Sequence, residues 1–141
     1  MDDPFRWYRP WFYAAAAYNF LWGAAVVLYP GGLLHFAGIT DPAATPLAQV
    51  IGMMVGVYAY GYYLLAREPR RYAAFIWIGL AGKMFGPIGF VYSVWTGALP
   101  WVFAWVCLFN DVIWCPVFWR FAIKYAISSG AAPRSPSISA R

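Results

Sequence analysis

Four apolar runs, each close to the length that crosses a bilayer, take up most of this 141-residue chain. They cover about residues 11–29, 47–66, 72–95 and 101–126, and short polar or Pro/Gly-rich breaks separate them. A helix needs about 20 apolar residues to span the hydrocarbon core, and in lipid a helix satisfies its own backbone. Composition agrees: 63% of residues are hydrophobic and 11% are charged, against about 25% charged in soluble domains. The runs predict an all-α integral membrane protein, an antiparallel four-helix bundle forming one domain over residues 1–128. The segment 129–141, rich in Ser, Ala, Pro and Arg, has no apolar period and is expected to be a disordered cytoplasmic tail.

A net charge of +5 does not point to nucleic acid, because of where the cations fall. Arg6 and Arg9 precede the first run; Arg67, Arg70 and Arg71 lie between the second and third; Arg120, Lys124, Arg134 and Arg141 lie at or beyond the end of the fourth. The other two connections carry no Lys or Arg. Positive loops stay on the cytoplasmic side, which predicts both termini in the cytoplasm and an even number of spans. Four satisfies this. Residues Met1 to Pro10 read as an interfacial segment with Phe5, Trp7 and Tyr8 at headgroup level. The acidic start and the long run argue against a cleaved signal peptide.

The first span stops at Pro30-Gly31-Gly32, and Leu33–Phe36 is expected to form a short surface helix. Small residues allow close helix approach in lipid. They recur as Gly52, Gly56 and Ala59 in the second span and as Gly79, Gly82, Gly86 and Gly89 in the third. Four glycines in one helix are costly without close packing, so the third span is expected at the centre. These two glycine faces are also the candidate contacts for a homo-oligomer or a larger membrane complex. Pro87 and Pro116 predict kinks in spans three and four, and the short connection Thr96–Pro100 makes those spans antiparallel neighbours.

The third span contains one cation, Lys83, roughly 16 Å deep at 1.5 Å per residue. The fourth contains Asn110 and Asp111, roughly 15 Å deep by the same rise. Asn19 of the first span shares that level. A central Lys or Asp costs about 2.5–3.5 kcal/mol on insertion scales, so the two charges are expected to pair, with the amides satisfying the remaining groups. Tyr18, Trp22, Tyr58, Tyr62, Trp105 and Trp114 are the aromatics available to line the same space. Two readings stay open: a structural clamp that fixes register, or the wall of a pocket or proton path, since ionisable residues within membranes are functional candidates by default.

No GxSxG, Walker A, CxxC, HExxH or paired His at ligand spacing occurs, which leaves hydrolase, nucleotide and metal chemistry without sequence support. Cys107 and Cys115 are eight residues apart on one predicted helix, too far for a disulfide, and read as buried small residues. His35, the single histidine, lies at the outer surface.

The segment Asn19-Phe-Leu-Trp-Gly23, ending at Tyr29-Pro30, resembles the first span of small bacterial four-helix membrane proteins of the DoxX-like kind. The resemblance covers about one span plus length and span count, and no residue roles carry over. It implies a bacterial inner-membrane protein, an accessory subunit in quinone-linked redox metabolism. Three functions remain in view. One is a small membrane protein binding a hydrophobic ligand, such as a quinone or lipid, or a partner subunit. Another is a membrane enzyme on an isoprenoid, quinone or lipid, with Asp111 as acid or base beside Lys83. The third is an oligomeric transporter or proton path.

Overall fold

The structure, a computed structural model, describes residues 3–127; the expected tail lies outside them. The described residues are mostly helical, with no strand among them, and four helical stretches are long and apolar enough to cross a membrane. Helix α1 spans Tyr8–Leu28, α2 Pro30–Phe36, α3 Ala44–Arg67 and α4 Phe75–Trp95. The fourth stretch, Trp101–Ala126, is interrupted. A 3-10 turn leads into α5 (Ala104–Asn110), a second 3-10 turn (Val112–Trp114) into α6 (Cys115–Phe121), and a π turn closes it.

Two boundaries correct the sequence expectation. The first helix stops as expected, with Tyr29 breaking α1 at φ −137° and ψ 63°, but the short helix expected over Leu33–Phe36 begins earlier: Pro30 opens α2, where its fixed φ suits a first turn and its missing N–H is not needed. The break in the fourth stretch falls at Asp111, five residues before Pro116. Proline is tolerated in the first turn of α6, so the disruption is displaced upstream, where Pro116 offers no N–H to the Val112 carbonyl and crowds it. By contrast, α4 runs through Pro87 without interruption.

Contacts at the ends fix the packing. Arg9, at the start of α1, donates to the carbonyls of Ala66 and Arg67 at the end of α3 (2.6 and 2.7 Å). Gln49, near the start of α3, donates to Val27 near the end of α1 (3.0 Å). These two helices are therefore antiparallel. The same holds for α4 against the fourth stretch, where Trp77 meets Trp119 and Phe90 meets Trp101, and for α1 against the fourth stretch, where Tyr18 meets Trp114 and Tyr8 meets Phe121.

The tightest approach is between α1 and α3 and not along α4. A Cβ at Gly23 would lie 2.6 Å from the Gly52 carbonyl oxygen and 2.9 Å from the Gly56 nitrogen, so only glycine lets these backbones touch. The glycines of α4, expected to make such a seam, accommodate side chains instead. Gly79 faces Tyr62, Gly82 faces Tyr58 and Gly86 faces the Asp111 carboxylate, while nothing approaches the Gly89 position within 4 Å. Aromatic rings hold α4 off from α3.

One end of the molecule gathers all the described basic segments. Besides the Arg9 bonds, Arg70 lies over the Phe5 ring, Arg120 over Trp7, and the Tyr125 hydroxyl donates to the Pro4 carbonyl. Phe5 and Tyr8 are buried against Phe121 and Tyr125, while Trp7 between them is exposed. Above this layer Phe12, Tyr62, Phe118 and Phe121 are fully buried. They form an aromatic plug whose tilted and edge-on pairs add about 0.5–1.5 kcal/mol each. The outward faces carry Leu21, Val57, Phe85, Val91 and Ile123, all exposed.

Candidate functional site

Asn110 and Asp111 sit where the fourth stretch stops being helical. Asp111 takes φ −123° and ψ −61°, and Asn and Asp side chains compete with helical backbone bonds. An unbroken helix would give the Asn110 carbonyl to the Trp114 N–H and the Phe109 carbonyl to Ile113. Here the Trp114 N–H turns to the Asp111 carbonyl (3.2 Å). Both released acceptors are taken by side chains: the Trp114 indole donates to Phe109 (3.0 Å), and Lys83 Nζ donates to Asn110. Buried carbonyls rarely go unpaired, and these two find partners across the break.

Lys83 Nζ also lies 3.5 Å from Asp111 Oδ1. That is longer than the 2.7–2.9 Å of a charge-assisted hydrogen bond, so the ammonium is anchored by the main chain and compensated by the carboxylate. Asn110 Nδ2 donates to Asp111 Oδ1 at 2.8 Å. Both Lys83 and Asp111 are buried, at 5% and 6% exposure. The expected pair is present, together with the expected help from Asn110. The backbone partner was not foreseen; the Asn-Asp dipeptide ahead of Pro116 is the signal that marks it.

The pair borders a cavity of about 260 Å³. Asn19 reaches it from α1, Tyr58 and Tyr62 from α3, Lys83 from α4, and Asn110 and Asp111 from the break. Gly79 and Gly82 supply its low wall, and Ile51, Met54 and Val55 an apolar side that the sequence did not single out. Ile51 and Met54 are half exposed, so this side communicates with the outer apolar face. Toward the basic end Tyr62, which lines it, packs on Phe118 of the aromatic plug.

Three buried polar atoms have no hydrogen-bond partner among the described residues: Asn19 Oδ1, Tyr62 Oη and Asn110 Oδ1. All three belong to residues that line this cavity. Asn19 therefore does not complete the ion pair, as had been expected of it.

The other expected residues lie elsewhere. Tyr18 packs on Trp114 with ring centroids 5.7 Å apart, Trp114 is held in the core by its indole bond, Trp22 is half-buried, and Trp105 is exposed; none lines the cavity. Cys107 is buried and Cys115 half-buried, both as free thiols. His35 is exposed on α2. No protein-family model, curated protein or solved structure matches the chain.

Proposed function

We propose that this chain is an inner-membrane protein of bacterial type, a four-helix bundle with both termini in the cytoplasm, that binds a hydrophobic ligand in the cavity beside Lys83 and Asp111. One observation carries the reading. The buried Lys83–Asp111 pair borders a cavity of about 260 Å³ with an apolar side, and ionisable groups at such depth in a membrane protein mark functional candidates. A clamp alone needs Lys83, Asp111 and Asn110, and gives no reason for a cavity beside them.

The apolar outer face, with Leu21, Val57, Phe85 and Val91 exposed, supports placement in lipid, since soluble monomers rarely expose so broad an apolar surface. Clustering of the basic segments at one end supports the cytoplasmic assignment of the termini. A lipid or a quinone suits a mid-membrane pocket with an apolar side and a polar back wall. Native mass spectrometry of gently purified protein tests the reading. A retained small apolar molecule, lost in Lys83→Met/Asp111→Leu while the protein stays folded, is the expected result. Protein that carries no such molecule, and gains no stability from any lipid or quinone supplied, would refute it.

A second reading has its own support. Asp111 sits on an irregular backbone at the cavity wall, and such irregularity clusters at functional sites; an enzyme acting on an isoprenoid, quinone or lipid would use this carboxyl as acid or base. Turnover lost in Asp111→Asn with ligand binding retained distinguishes it.

A further inference from the structure

A second cavity, of about 400 Å³, opens at the basic end, between the amino-terminal segment and the turn that joins α3 to α4. Four arginines line it, Arg9, Arg67, Arg70 and Arg71, against two carboxylates, Asp3 and Glu68. Positive charge is therefore in excess. The carboxylates are already engaged. Asp3 accepts from the Phe5 N–H at 3.0 Å and from Arg9 Nε at 2.8 Å, and Glu68 accepts from Arg71 Nη1 at 3.3 Å. A guanidinium carries five N–H donors, so many hydrogens on these arginines stay unspent. Arg9 uses Nε on Asp3 and Nη1 on the Ala66 and Arg67 carbonyls, and keeps Nη2. Arg70 makes no hydrogen bond or ion pair among the described residues. It lies over the buried Phe5 ring, 5.7 Å from the centroid, a contact that spends no N–H.

We propose that this cavity binds a phosphate group, with Arg9, Arg70 and Arg71 as its donors. The guanidinium fork matches phosphate geometry, and the tetrahedral oxygens of a phosphate accept from several directions at once. That suits donors from separate segments, Arg9 on α1 and Arg70 and Arg71 on the turn after α3. A planar carboxylate serves such an arrangement less well. The cavity lies at the start of α1 and the end of α3, two of the long apolar helices. On the membrane reading above that is headgroup level, where basic pockets hold anionic headgroups. Two sources of the group follow, the phosphodiester of a phospholipid and a soluble phosphate; only the first rests on the membrane reading. Orientation in a membrane requires no more than diffuse charge. Arg6 and Arg120 supply such charge at the same end without lining this cavity, and so provide the comparison that tells a site from a charged surface.

The test uses the full chain in neutral detergent. Dioleoylphosphatidylglycerol and oleate are titrated by native mass spectrometry, glycerophosphate and inorganic phosphate by calorimetry. Phosphatidylglycerol should bind well ahead of oleate. Arg70→Gln/Arg71→Gln should weaken it about twentyfold, at roughly fivefold for each basic side chain near the surface. Thermal stability should change little, because both side chains are exposed and Arg71–Glu68 is a surface pair. Glu68→Gln frees Arg71 and should tighten binding. Arg6→Gln/Arg120→Gln removes the same charge from the same end and should leave binding nearly unchanged. Phosphatidylglycerol bound more tightly than glycerophosphate, with this dependence on Arg70 and Arg71, supports the site and names a lipid headgroup. Glycerophosphate or inorganic phosphate bound as tightly, with the same dependence, supports it and names a soluble phosphate. Oleate bound as tightly as phosphatidylglycerol, equal losses in the two double variants, or no binding by any probe overturns the proposal. None of these outcomes touches the reading of the Lys83 cavity, whose ligand is lost in Lys83→Met/Asp111→Leu and not in Arg70→Gln/Arg71→Gln.

Discussion

Lys83 Nζ is held between two successive residues of a broken helix, donating to the Asn110 carbonyl while lying 3.5 Å from Asp111 Oδ1. Removing one member of a buried charge pair strands the other, at about 3–5 kcal/mol. Lys83→Met alone should therefore lower stability by about that amount, measured by unfolding in bicelles. Lys83→Met with Asp111→Leu should recover most of it. A double variant no better than the single one would show that Lys83 acts mainly through the Asn110 carbonyl.

Two glycines one helical turn apart on α4 should answer oppositely to alanine. At Gly86 a Cβ would lie 2.5 Å from Asp111 Oδ2, so Gly86→Ala should displace the carboxylate and lose about 1–3 kcal/mol, the range for overpacking. At Gly89 nothing lies within 4 Å, and Gly89→Ala should gain about 0.4–1 kcal/mol through reduced unfolded-state freedom. Equal effects at the two positions would contradict the packing described.

The α1–α3 contact makes a similar contrast. Gly23→Ala drives a methyl into the backbone of Gly52 and Gly56 and should cost about 1–3 kcal/mol or more. Gly56→Ala, whose Cβ meets nothing within 4 Å, should gain about 0.4–1 kcal/mol, as at Gly89. Thermal unfolding of the two variants side by side decides the point.

Arg9 ties the first helix to the end of the third through Ala66 and Arg67. Arg9→Gln should loosen that end, seen as faster amide exchange at Glu68 to Arg71, while exchange near Gly23 stays slow. Uniform loosening would deny the local character of the tie.

Reporter fusions check the orientation. A reporter active only in the cytoplasm should work after residue 127 and after Glu68, and fail within Gly38–Pro42 or at Gly97. Activity at Gly97 would reverse the fourth crossing.

The four long apolar helices were legible because their signal is compositional: about 20 apolar residues bounded by breaks can be read without knowing any neighbour. The Lys83–Asp111 pair was legible for a related reason, since charges at one depth have few alternative partners. Helix neighbours were harder. The same glycine pattern serves a backbone contact at Gly23, Gly52 and Gly56 and makes room for Tyr58 and Tyr62 at Gly82 and Gly79, and the choice depends on what the facing helix presents. The cavity wall was half visible. Asn19, Tyr58 and Tyr62 were named, but Trp22 and Trp105 were grouped with them by chemistry alone, and the break at Asp111 rotates the fourth stretch away from an ideal helical wheel. Ile51, Met54 and Val55 look like any lipid-facing residues and carried no mark.

The partnership of Lys83 with the Asn110 carbonyl bears on how the molecule is made. The lysine precedes its acceptor by 27 residues. At a synthesis rate of about 5–20 residues per second, its charge reaches the insertion machinery a second or more before any compensating group exists. If the third and fourth stretches enter lipid, they are therefore expected to do so together, as one hairpin. A ribosome stalled between Lys83 and Asn110 should leave the third crossing extractable, and release of the stall should anchor both at once.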